Sequence, residues 1–120
     1  MHNASSASVP ARLECVQGVP VVVISGRLDA NNAAQFDELT APLLAETHER
    51  VLLDMGGLHY ISSAGLRSII RIIKHTAVSG GRTGVFAVPV HILELIEISG
   101  FETLIDIYPD RESALIGSPR

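Results

Sequence analysis

Two adjacent serines, Ser62 and Ser63, stand between a short apolar run, Val51-Leu52-Leu53-Asp54, and an amphipathic stretch that begins at Leu66. Hydroxyls just before a helix can cap it, can accept a phosphate, or can act as nucleophiles. Three facts would make the position a good phosphoacceptor, although by spacing alone the ordinary reading of serines before a helix is that they cap it. A helix start offers unpaired N–H groups and partial positive charge. A loop at the end of a strand is open to a kinase while its base is held rigidly. Ala64 and Gly65 are small, so another protein's surface can come close. A hydrolase would need Ser63 with His59 and Asp54, but the Gly-x-Ser-x-Gly elbow is absent and His59 shares the serines' short loop. Such triads gather their members from distant segments, so no enzyme is expected. His2, His48, His59, His75 and His91 lack ligand-like spacing and Cys15 has no second cysteine, so no metal site is expected. Ser79-Gly80-Gly81-Arg82-Thr83-Gly84 lacks the lysine and spacing of a nucleotide-binding loop, and no cofactor is expected.

The composition limits the partners. The 120 residues suit one domain, expected over 9–117 behind a disordered tail at 1–8, and 47% hydrophobic content suffices for a packed core. A net charge of -4 argues against nucleic acid, whose binders usually carry a basic surplus. A single cysteine excludes an internal disulfide; Cys15 reads as a small buried hydrophobe on a strand. The polar start lacks the basic and apolar regions of a secretory signal, and the apolar runs Val19–Ile24 and Ile69–Ile73 are too short to cross a bilayer. The expectation is a soluble, cytoplasmic protein, without membrane insertion.

The elements that must hold the serines are legible from periodicity. Arg12–Gln17 and Val19–Ser25 form a hairpin around Gly18, and Gly26-Arg27-Leu28-Asp29 is expected to leave the sheet. Val21–Ile24 is apolar on both faces, which suits a central strand. Asn31 or Asn32 caps a helix to about Glu46, with Phe36, Leu39, Leu43 and Leu44 on one side; Pro42 should kink or split it. Arg50–Asp54 is a buried strand and Met55–Tyr60 a loop around Gly56-Gly57. The next helix carries Leu66, Ile69, Ile70, Ile73 and Ala77 as its core stripe and stops at Gly80-Gly81. Val85–Val88 is a strand, and Pro89 starts a helix that ends at Ser99-Gly100. Leu104–Tyr108 suits a last strand and Asp110–Ile116 a last helix. The order β-β-α-β-α-β-α-(β)-α implies an α/β fold with parallel crossovers and one antiparallel pair.

Leu58-x-Tyr60-Ile61-Ser62-Ser63-Ala64-Gly65-Leu66 resembles the signature of STAS-domain proteins, in particular the anti-sigma-factor antagonists of bacterial sporulation and stress signalling. Gly26-x-Leu28-Asp29, Leu52-Leu53-Asp54 and Ile98-Ser99-Gly100-Phe101 with Ile105 extend the resemblance over roughly Leu13 to Leu115. It implies a STAS-type mixed sheet of four to five strands with about four helices. The family's phosphoacceptor falls on Ser63, followed by Ala64-Gly65-Leu66. Where the best-known pattern has Asp before that residue and a hydroxyl after it, this chain has Ser62 and Ala64, so Ser62 is an alternative site. The family's acidic residue after the second strand falls on Asp29, which is either functional or a turn aspartate.

The implied activity is partner switching. The unphosphorylated protein binds an anti-sigma factor that is also a serine kinase of the histidine-kinase-like ATPase type, freeing the sigma factor; phosphorylation releases it, and a PP2C-type phosphatase resets it. Implied partner-binding residues are Asp29, Ser62, Ala64 and Gly65. The basic stripe Arg67, Arg71 and Lys74 is a docking surface for an acidic patch or a solvated face. The protein is expected to be a monomer or weak dimer. The alternative output is a STAS scaffold module that uses the same switch for secretion, motility or biofilm control.

Overall fold

The computed structural model describes residues 11–117. The expected tail at 1–8 lies outside the described residues. The chain runs β1 (Ala11–Val16), β2 (Val19–Leu28), α1 (Ala33–Leu44), β3 (Arg50–Ile61), α2 (Ser63–Val78), β4 (Arg82–Phe86), α3 (Val90–Ile98), a 3-10 turn (Glu102–Leu104), β5 (Ile105–Tyr108) and α4 (Arg111–Ile116). The strands form one sheet in the order β1-β2-β3-β4-β5, antiparallel between β1 and β2 and parallel thereafter. This is the α/β order expected from the sequence.

Alternation along the strands divides the interior in two. Val22, Ile24, Leu53 and Val85 face a large core closed by Phe36 and Leu43 of α1, Ile69, Ile72 and Ile73 of α2, and Ile92 and Ile96 of α3. Val21, Leu52, Phe86 and Tyr108 face the opposite way, onto Ala114 of α4. Helices α1 to α3 therefore cover one face of the sheet and α4 the other. Arg111 ties α4 down: its Nη1 lies 3.2 Å from Glu14 on β1, and its Nη2 3.2 Å from Asp54 on β3. Its guanidinium carbon lies 5.7 Å from the Phe86 ring centroid.

Several expectations change. Gly26–Leu28 does not leave the sheet, and Met55–Tyr60 is not a loop: β2 and β3 stay paired from Val21↔Leu52 to Leu28↔Ile61, with two register shifts. Gly56-Gly57 is a place of close approach, not a turn. A Cβ on Gly57 would come 2.9 Å from the Ser25 Cβ, so only glycine lets the two strands pass. Cys15 is exposed, because β1 is an edge strand with helices covering only part of it. Pro42 does not split α1; it sits exposed near the end of that helix, where water can serve the freed carbonyl. The inward face of α2 is Gly65, Ser68, Ile69, Ile72, Ile73 and Thr76. Leu66, Ile70 and Ala77 of the expected stripe lie at its half-buried flanks. With apolar residues at 69, 70, 72 and 73, periodicity could not choose the face; the sheet did. Finally, β4 begins at Arg82 and ends at Phe86, earlier than expected.

Candidate functional site

The extended β3, the central strand, delivers the two serines at its C-terminal end, and they divide the work there. Ser62 is the N-cap of α2: its Oγ accepts a hydrogen bond from the Gly65 N–H at 3.3 Å. Its own N–H donates to the Leu28 carbonyl at 3.0 Å, and its carbonyl accepts from the Leu66 N–H at 2.8 Å. Ser62 is half-buried and anchored at three points. Ser63 is the first residue of α2, exposed, and among the described residues its hydroxyl has no hydrogen-bond partner. One serine builds the junction and the other is displayed by it.

Gly65 makes the junction tight. It is buried, and a Cβ there would strike the Leu28 carbonyl oxygen and come 2.9 Å from both the carbonyl carbon and Cγ of Leu28. The first turn of α2 thus rests directly on the end of β2, and Asp29 follows at once. Asp29 is a turn aspartate by its bonds: Oδ1 accepts from the Asn31 N–H at 2.9 Å, and its carbonyl accepts from the Asn32 and Ala33 N–H groups. Its Oδ2 lies 3.6 Å from Arg27 Nε. Ala64 is half-buried beside the displayed hydroxyl.

Of the basic stripe on α2, all three members are exposed. Arg67, Arg71 and Lys74 line a shallow hollow together with Ile70. Arg71 Nη1 is 3.5 Å from Asp37 of α1, and Lys74 Nζ lies 5.9 Å from the Phe101 ring centroid. Arg67 has no such partner among the described residues.

Sequence reasoning missed a pair beside this site. Arg27 and Tyr60 are register partners across β2 and β3, and the guanidinium carbon lies 4.2 Å from the ring centroid. Tyr60 is 43% exposed. Nothing local announces the pair, because the two residues meet only once both strands are seen to run on past their expected ends.

The hydrolase alternative finds no support in the geometry. Asp54 points to the sheet face opposite α2, where it holds Arg111 and accepts from the Gly56 N–H at 3.1 Å. His59 contributes its backbone carbonyl, which accepts from His91 Nε2 at 3.1 Å. Among the described residues no group of three His, Cys, Asp or Glu side chains could hold a metal ion. Among them, too, no helix is long and apolar enough to cross a membrane.

Residues 10–114 match the family model of the STAS domain. The chain is 31% identical over 102 residues to a protein of Bordetella bronchiseptica that carries the name anti-sigma factor antagonist BtrV, covering 85% of this chain and 88% of that one. Its fold matches the crystal structure of an anti-sigma factor antagonist from Mycobacterium paratuberculosis with a TM-score of 0.78, at 22% identity over 95% of this chain and 97% of that one. It also matches the anti-sigma factor antagonist SpoIIAA in its unphosphorylated form, with a TM-score of 0.71 at 15% identity over 88% of this chain and 94% of that one. The Bacillus protein in its phosphorylated form matches equally, with a TM-score of 0.71 at 16% identity over 88% and 96%. The solved structures, at these identities, speak for the fold; the family model and the Bordetella relative, each spanning most of the chain, establish that this protein belongs to the STAS domain family.

Proposed function

We propose that this protein is an anti-sigma factor antagonist, a regulator and not an enzyme, that changes partners through phosphorylation of Ser63. The observation that carries the reading is the division between the serines: Ser62 is consumed in capping α2, whereas Ser63 is exposed and its hydroxyl has no hydrogen-bond partner among the described residues. The curated relative named as an anti-sigma factor antagonist supports the function class.

In this reading residues 9–117 act as one cytoplasmic domain, a monomer or weak dimer. The unphosphorylated surface around Ser63, with Asp29, Ser62, Ala64 and the stripe Arg67, Arg71 and Lys74, is covered by an anti-sigma factor that is also an ATP-dependent serine kinase; Gly65, expected on that surface, is buried and supports it from beneath. Phosphorylation adds about -1.5 to -2 charges at the middle of that contact. Burying such a group unpaired costs several kcal/mol, enough to release a complex of micromolar affinity. A PP2C-type phosphatase restores the binding form. The switch acts by local exclusion.

Incubation with such a kinase and ATP should raise the intact mass by one phosphate. Ser63→Ala should prevent the gain and Ser62→Ala should allow it. Full labelling of the Ser63→Ala protein would overturn the assignment.

A further inference from the structure

The basic residues around Ser63 differ in one respect: whether they are already engaged. Arg27 is held by Asp29 at 3.6 Å and stacked 4.2 Å from Tyr60. Arg71 is paired with Asp37 at 3.5 Å, and Lys74 lies over Phe101. Arg67 alone of the four is exposed without an acidic or aromatic partner among the described residues. It stands four positions after Ser63 in the same helix, so the two side chains lie on one face, a turn apart. Anion first and cation four residues later is the favourable order for such a pair. A guanidinium also presents a planar fork of N–H donors that fits a phosphate in two-point contact.

We propose that Arg67 pairs with the phosphate oxygens once Ser63 carries a phosphoryl group, so that phosphorylation adds a dianion and also withdraws the free docking cation beside it. The inference rests on Ser63 being the modified residue. Before modification an acidic partner surface meets an uncommitted positive charge at the first turns of α2. Afterwards that charge is satisfied within the protein, and the same surface meets net negative charge. Attraction is converted to repulsion at one spot, without any movement of the backbone. The neighbouring cations are poorer receivers. Taking Arg27 would strip Asp29 of its partner close to a new dianion, and Arg71 is two turns away and tied to Asp37.

The test installs phosphoserine at position 63 during translation, so that no kinase is involved, and follows the phosphate by 31P NMR through its second ionisation, ordinarily near pH 6. Arg67→Gln should raise the midpoint by about 0.5 pH unit, on the scale expected for a helical ion pair carrying a dianion. Arg71→Gln and Arg27→Gln remove the same charge and should move it clearly less. In the unsubstituted phosphoprotein the Arg67 Nε–H resonance should shift with the same midpoint. Equal shifts in all three variants would mean a diffuse field and no receptor; a larger shift in Arg27→Gln would assign the role elsewhere. Either outcome overturns the proposal. Failure of a kinase to label Ser63 would instead strike the functional reading and leave this measurement untouched.

Discussion

Gly65→Ala sets two well-known effects against each other at the base of the site. By helix propensity alone the change should stabilise, since alanine exceeds glycine by about 1 kcal/mol inside a helix. The packing says otherwise. The new methyl would lie 2.9 Å from the Leu28 carbonyl carbon and Cγ, and nearer still to the carbonyl oxygen. That oxygen belongs to the last residue of a central strand and cannot swing aside as a flexible side chain could. The start of α2 must lift instead. Overpacking of this kind costs about 1–3 kcal/mol, and the Ser62 N–H···Leu28 bond through the same carbonyl adds roughly 1 kcal/mol if it breaks. The net expectation is a loss of about 1–3 kcal/mol, read by urea denaturation with an unchanged slope, or as a fall of roughly 4 °C in Tm per kcal/mol. Amide shifts should concentrate at Leu28, Asp29 and Ser62–Leu66. A variant as stable as the parent, or more stable by the propensity gain, would show that α2 does not rest on β2 as described.

Ser62→Ala should cost about 0.5–1 kcal/mol of stability by removing a helix cap, whereas Ser63→Ala should cost almost nothing; equal losses in paired denaturation curves would contradict the division of roles. Thr83 is fully buried and its hydroxyl has no hydrogen-bond partner among the described residues, so Thr83→Val should raise stability by roughly 1 kcal/mol, and a lower midpoint would mean that the hydroxyl is paired after all. The Arg12 side chain, and then Arg111, hold the Glu14 carboxyl below its usual range. A carboxylate lowered in the folded state stabilises above its unfolded pKa and loses that contribution as pH falls through the folded one. The stability gap between the parent and Glu14→Gln should therefore be present at neutral pH and close on acidification, and a gap that widened in acid would reverse the sign of the argument.

The alternating order of strands and helices and the mixed sheet were legible in the residues themselves, because periods of two and near four, caps and glycine stops are local properties. Ser62 and Ser63 could be placed at the start of α2 from spacing alone. Their separation into a cap and a free hydroxyl could not, since it depends on which oxygen reaches the Gly65 N–H. Gly56-Gly57 and Gly26 read locally as breaks, yet β2 and β3 run on through them, because glycine serves close strand packing as well as turns. Arg27 meets Tyr60 only through that longer pairing. Arg111 reaches Glu14 and Asp54 across most of the chain, and Cys15 is exposed only because its strand ends the sheet. Local chemistry wrote the elements and the hydroxyl; long-range packing decided which side chains around that hydroxyl are already engaged, and so which charge stays free to answer a phosphate.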